Sequence, residues 1–263
     1  MNTFTSTTKP TISIGALIKQ WRERRRMSQL LLANEADVSS RHLSFIETGR
    51  AAPSRAMVLR LAEYLDVPLR ERNQLLTAAG FAPVFRERSL DDQSMAPARL
   101  AVEQVLKGHE PYPALAIDRH WNLVSANGAV AALMASADPA LLVPPVNVLR
   151  LSLHPRGLAS KIANLGQWRR HLLDRLDAQI RASGDAKLAA LRDELSDYPG
   201  GMYEGRTMES SIVIPFVLDT EAGRLSFIST TLVFGTPVDV TLAELAIEMF
   251  FPADEATAAA LKR

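Results

Sequence analysis

From Ile14 onward the apolar residues Ile14, Leu17, Ile18 and Trp21 recur at the i, i+3, i+4, i+7 spacing of an amphipathic helix. A charge run from Arg22 to Arg26 closes it, and Met27-Ser28 breaks the period. Ser28 can cap a second short helix with Leu32, Ala33 and Ala36 facing inward. Val38 sits in the turn that follows. Ser39 can cap a third helix with Leu43 and Ile46 inward, and Gly49 lies where a helix commonly stops. Pro53-Ser54 restarts the chain into a fourth helix marked by Val58, Leu61, Ala62 and Leu65. Pro68 opens a fifth that ends at Gly80 after Leu75, Leu76 and Ala79. The pattern predicts a compact bundle of five short helices.

Between Pro83 and Pro97 no apolar period is sustained, and the residues are polar and charged. We read residues 89–97 as a linker between a domain over 1–88 and another over 98–263. The second opens with a helix near Ala98 to Leu106. Pro113 to Asp118, a tight turn at Arg119-His120, and Trp121 to Ala126 predict a β-hairpin. Asn127 is placed to cap a helix over 128–135, and Pro139 to Val148 is a proline-punctuated connection. Leu158 to Leu195 carries helical periodicity with a break at Ser183-Gly184, predicting helices over 158–182 and 186–195. The period then changes: Met208 to Leu218, Arg224 to Phe234 and Leu245 to Phe251 read as strands rich in Ile, Val, Phe and Thr. The expected fold is an all-α five-helix domain followed by an α+β domain, an antiparallel sheet covered by helices.

The formal net charge of the 263 residues is +1, which hides an asymmetry. Residues 1–88 hold 14 Lys and Arg against 8 Asp and Glu; the remainder holds 16 against 21. A basic front and an acidic rear point to nucleic acid as a partner of the front alone. The absence of cysteine excludes a disulfide framework, a thiolate zinc site and a cysteine nucleophile. Met1 to Pro10 lack the apolar core of a signal peptide, and no stretch reaches about 18 uninterrupted apolar residues. The expectation is a cytoplasmic protein with no membrane partner.

The string S-Q-L-L-L-A-N-E-A-D-V-S-S-R-H-L-S-F-I-E-T-G-R, residues 28–50, has the layout of a helix-turn-helix, in which one helix crosses the DNA backbone and the next enters the major groove. Ala33 is small where the helices cross, Val38 and Ile46 fix the crossing, and Asp37 occupies a turn position where glycine is more usual but aspartate is tolerated. Ser40, Arg41 and Ser44 then point into the groove, with Ser39 capping the helix and Phe45 at its edge. Arg41 alone among them can pair bidentately with guanine. Gln29 and Arg50 are placed to contact phosphates. The plainer alternative is a packed bundle with a basic solvated face. Residues 14–80 resemble the Xre-type helix-turn-helix domain, and S-S-R-H-L-S-F-I-E-T-G-R, P-S-R and V-P-L-R-E-R-N-Q-L-L resemble one subgroup in which an MmyB-like ligand-binding domain follows. Leu30 and Leu31 depart from the general pattern, since polar residues usually stand there; either they fold back onto the bundle or they form an exposed apolar spot.

The histidines His42, His109, His120, His154 and His171 are scattered along the chain, so no metal site is expected, and no cofactor. Gly200-Gly201 follows no strand and reads as a turn rather than a nucleotide loop. Glu204, Glu209 and Glu248 are lone carboxylates and read as solvated. The string P-Y-P-A-L-A-I-D-R-H-W-N-L-V-S-A-N, with N-V-L-R-L-S-L-H-P-R-G-L and L-A-I-E-M-F-F-P-A-D-E-A-T, resembles the PAS-like MmyB-like ligand-binding domain over residues 98–263. That resemblance implies a small-molecule sensor. Strand alternation puts Ile212, Ile214 and Phe216 on one face, Phe227, Ser229 and Thr231 on another, and Ile247, Met249 and Phe251 on a third. Covered by helices, these form either a filled core or an elongated apolar pocket suited to a fatty acid. Arg150, His154, Trp168 and His171 would be its polar anchors, and Ile212, Ile214, Phe216, Phe227, Thr231 and Met249 its walls.

The expected function is a one-component transcription regulator and not an enzyme: a homodimer on a double-stranded operator, controlled by a small-molecule effector. The alternatives from other classes are a DNA-binding domain fused to an enzyme acting on its ligand, and an antitoxin-like module that binds a protein.

Overall fold

The computed structural model describes residues 12–201, 213–221 and 223–262. It divides into two compact units, one running to Glu87 and taking in Val238–Val240, the other comprising Arg88–Pro237 and Thr241–Arg263.

The first unit holds α1 (Ile14–Arg24), α2 (Gln29–Glu35), α3 (Ser40–Glu47), α4 (Arg55–Tyr64) and α5 (Leu69–Ala78). Their punctuation is local chemistry. The hydroxyls of Ser13, Ser28, Ser39 and Ser54 each accept the backbone N–H three residues ahead, satisfying a donor that the first turn leaves free. At the other ends Arg26, Asp37, Gly49, Asp66 and Gly80 turn left-handed, with φ from 46° to 83°. The next N–H then reaches back to the last helical turn, as in Met27 to Arg22, Val38 to Ala33 and Arg50 to Phe45. Asp37 takes the left-handed conformation expected of it, at φ 51°. Ile18, Leu32, Leu43, Ile46 and Leu61 are buried at the centre, each contributing roughly 1.5–3 kcal/mol. Helix α1 lies so close to the end of α3 that a Cβ on Gly15 would stand 2.2 Å from the Ile46 carbonyl oxygen.

The polar connection is less free than its composition suggests. Asn73 accepts the N–H groups of Val84 and Phe85 and donates to the Phe85 carbonyl, and Arg70 pairs with Glu87, so residues 84–87 are held to the helical unit. Regular structure resumes with a 3-10 turn at Gln93–Met95 and α6 at Ala96–Gly108, inside the expected 89–97 linker.

The second unit continues with β1 (Ala114–Ile117), β2 (Leu123–Ala126), α7 (Gly128–Met134), α8 (Val148–Leu153), α9 (Leu165–Ser183), α10 (Ala186–Ser196), β3 (Phe216–Thr220), β4 (Gly223–Val233) and β5 (Ala246–Pro252). Among the described residues the strands form one antiparallel sheet in the order β2-β1-β5-β4-β3. One face, with Ala114, Ala116, Ile247 and Met249, packs on Val102 and Leu106 of α6. The other, with Leu115, Phe216, Phe227 and Phe250, packs on Trp168, Leu172 and Leu176 of α9 and on α8 and α10.

Three expectations change. The strand expected from Met208 begins, where described, only at Phe216, and residues 208–212 lie outside the described residues. The helix expected from residue 158 starts at Leu165, because the Asn164 side chain is drawn to the sheet, donating to the Pro215 carbonyl and accepting from Val217 N–H. Asn127 precedes α7 without capping it by its side chain; its amide instead donates to the Leu106 and Tyr112 carbonyls and accepts from Ala114 N–H, fastening α6 to β1.

Candidate functional site

Helix α3 presents Ser40 and Arg41 to solvent with Ser44 and Phe45 half-buried behind them, and Ser39, the cap, and Arg50, beyond the end, are exposed. The Arg41 guanidinium carbon lies 5.3 Å from the centre of the Phe45 ring and that of Arg50 6.0 Å from it. One aromatic ring thus gathers two cations beside the exposed face of α3.

Behind that face is a buried pair. Arg22 of α1 donates from Nε and Nη2 to the two carboxylate oxygens of Glu47 at 2.7 and 2.8 Å, and from Nη1 to the Met27 carbonyl. Gln29 of α2 donates to the same carboxylate at 2.7 Å. Burial would push the Glu47 carboxyl up, but the hydrogen bonds from Arg22 and Gln29 hold it below its ordinary value; the bond to Glu47 in turn raises the Arg22 guanidinium above its own. Glu47 therefore stays ionised while locking α1, α2 and the end of α3 together. The amide nitrogen of Gln29, read from sequence as a phosphate donor, is turned inward to this carboxylate. Leu30 and Leu31 do not fold back: they are 61% and 46% exposed.

In the second unit a cavity of about 90 Å³ lies between the sheet and α7, α8 and α9. Its walls include Leu115, Trp121, Val130, Leu133, Leu149, Trp168, Leu172, Phe216 and Phe250, and its polar lining is Ser152, Arg175 and Glu248. Arg175 donates from Nη2 and Nη1 to Glu248 at 2.6 and 3.1 Å, and Nη2 also to Thr231 Oγ1 at 3.0 Å. The Thr231 hydroxyl in turn donates to Glu248 Oε1 at 2.9 Å. Glu248 is only 4% exposed, so the solvated reading of this carboxylate is corrected.

Of the residues expected in the pocket, Trp168 and Phe216 line it. Thr231 reaches it through Glu248, and Phe227 backs Phe216 and Phe250 with ring centres 6.3 Å from each. Met249 is a correction of face: with Ile247 it packs toward α6, whereas Glu248 and Phe250, on the alternate side of β5, face the cavity. Ile214 precedes β3 and packs on the core edge, and Ile212 lies outside the described residues. Arg150 stands on the other side of α8, in a polar groove with His120, Asn147 and Lys187, and is neutralised by Glu194 at 2.7 Å. His154 meets the Tyr198 ring at 5.1 Å and accepts from Arg156 N–H. His171 stacks on Trp168 at 5.3 Å, and burial with the nearby Arg175 charge pushes its imidazole below the ordinary value. These four anchors reduce to Trp168 alone; the cavity's polar end is the Arg175–Glu248 pair instead.

The turn carrying Trp121 is held firmly. Trp121 has φ 66°, rare for a bulky residue, and its indole N–H donates to Gln179 at 2.7 Å. Beside it Arg119 bonds Glu244 and Asp185, and His120 lies 2.8 Å from Asp185. Burial would raise the Asp185 carboxyl, but the hydrogen bonds from Arg119 and His120 bring it down from 3.8 to about 2. A carboxyl depressed in the folded state stabilises above its unfolded value, and that stability is lost as pH falls through the folded one. Acidification from about pH 4 to about pH 2 should therefore lower the stability of the native chain more steeply than that of Asp185→Asn, measured by urea melts across the range; equal slopes would contradict the assignment.

Residues 98–263 match the family described as MmyB-like transcription regulator ligand binding domain, and residues 13–75 match a helix-turn-helix domain family. No curated protein matches the chain. Among the described residues no helix is long and apolar enough to cross a membrane.

Proposed function

The chain belongs to the MmyB-like transcription regulator ligand binding domain family and carries a helix-turn-helix domain ahead of that module, and from this premise we propose a one-component regulator. α3 reads operator bases through Arg41, and an apolar, fatty-acid-like molecule in the cavity sets the affinity. The regulator works in the cytoplasm without enzymatic turnover, as a homodimer, because one recognition helix spans few base pairs and two half-sites about 34 Å apart supply the rest.

The observation that carries the effector reading is the void itself. About 90 Å³ of space between the sheet and the helices is lined almost wholly by apolar side chains. An apolar molecule that enters it removes its own surface from water. At about 90 Å³ the space is smaller than the ~300–1,000 Å³ of most ligand pockets, so a longer chain extends past the half-buried Leu133 and Met134 of α7 that border it. A ligand changes DNA affinity only through its different affinity for the DNA-competent and incompetent forms.

The test begins with selection of an operator from random duplex DNA by the full chain, followed by footprinting and light scattering. Two symmetric half-sites bound by a dimer are expected. A strict monomer protecting one non-palindromic site would overturn the dimeric reading.

A further inference from the structure

The polar end of the cavity specifies more than apolar character. The pair there is electrically closed. Both amino groups of the Arg175 guanidinium are committed to Glu248, one also to Thr231, and the cation sits 4.8 Å from the centre of the Trp121 ring. Glu248 is buried, and among the described residues Arg175 is the lining's one cation. Ser152, the remaining polar wall, accepts the Trp168 indole N–H at 3.0 Å.

A carboxylate entering this end would lose part of its hydration, find the nearby positive charge already matched, and lie against the buried Glu248 carboxylate. Like charges so placed repel strongly, and burying an unmatched charge is costly. An uncharged polar group meets no such penalty. A hydroxyl or amide can donate to Glu248 Oε2, which takes one bond from Arg175, or accept from the Ser152 hydroxyl.

We propose that the Arg175–Glu248 pair selects an effector with an apolar chain and an uncharged polar end, an alcohol or amide, over the free carboxylate. This inference rests on the apolar-effector reading and narrows its chemistry.

The experiment measures binding of 1-decanol, decanamide and decanoate to the full chain at neutral pH, below their aggregation limits, by thermal shift and calorimetry. The uncharged compounds should bind at least about tenfold more tightly than decanoate. In Glu248→Gln, which leaves the Arg175 charge unmatched, decanoate should gain at least about tenfold and the order should invert or level. Decanoate binding the native chain as tightly as decanol would overturn the inference while leaving the apolar-effector reading in place. An unchanged preference in a folded Glu248→Gln would remove the pair from the account. Failure of all three compounds to bind the native chain would overturn the effector reading, and the inference with it.

Discussion

Replacing Glu47 by alanine is expected to lower the stability of the helical unit by about 3–5 kcal/mol, the cost of leaving a buried cation without its partner. Arg22 of α1, 8% exposed, keeps the Met27 carbonyl and the adjacent Glu23 charge but loses the carboxylate that takes two of its hydrogen bonds. Against the 5–15 kcal/mol typical of whole domains this approaches unfolding. The double substitution Arg22→Met, Glu47→Leu should cost far less, because it removes both charges and keeps the volume. Amide hydrogen exchange of α1–α3 across a denaturant series measures both; a Glu47→Ala loss below about 1 kcal/mol would show that the pair does not hold the helices. Gln29→Ala removes one hydrogen bond to the same carboxylate and should cost about 1 kcal/mol. A fall in its DNA affinity must therefore be compared at matched folded fraction.

Arg41→Ala is expected to weaken operator binding by about 1–3 kcal/mol, roughly 5- to 150-fold, with far less effect on random DNA. Arg41 is exposed on α3 and rests against Phe45, which limits the side-chain freedom lost on reaching a base. Arg50 lies 6.0 Å from the centre of the same ring, past the end of the helix, and its removal should weaken operator and random DNA alike, as phosphate contacts do. Phe45→Leu keeps the apolar contact but removes the ring, so it should cost part of both effects. Titrations on both duplexes at one salt concentration decide this; equal losses for Arg41→Ala would refute its base-reading role.

What was legible in the sequence follows the range of the interactions. The serine caps, Asp37 and Gly49 act within a few residues, and the five helices stand close to their expected places. The Arg22–Glu47 pair joins residues 25 apart, and nothing in the local pattern marks Glu47 as other than a solvated end. The cavity shows the same limit more sharply. On β5 the alternating set Ile247, Met249 and Phe251 is wholly apolar and reads as the inward face, yet the set with Glu248 and Phe250 faces the cavity. A buried carboxylate disguised that face, and its partner Arg175 lies 73 residues earlier on α9, where periodicity gives no sign of it. Arg150 and His154 read as polar anchors beside an apolar run, but α8 puts Arg150 in the polar groove while Leu149 and Leu151 line the cavity.

The central claim is that occupancy of the cavity sets the affinity of α3 for DNA. Fluorescence anisotropy of the full chain on its selected operator, with and without 1-decanol at a concentration shown by calorimetry to saturate the protein, measures that coupling. A change in operator Kd of at least about fivefold is expected, the lower end of typical coupling between sites, together with its loss in a cavity-filling Val130→Phe variant that still binds DNA. An operator Kd unchanged by bound decanol would contradict it.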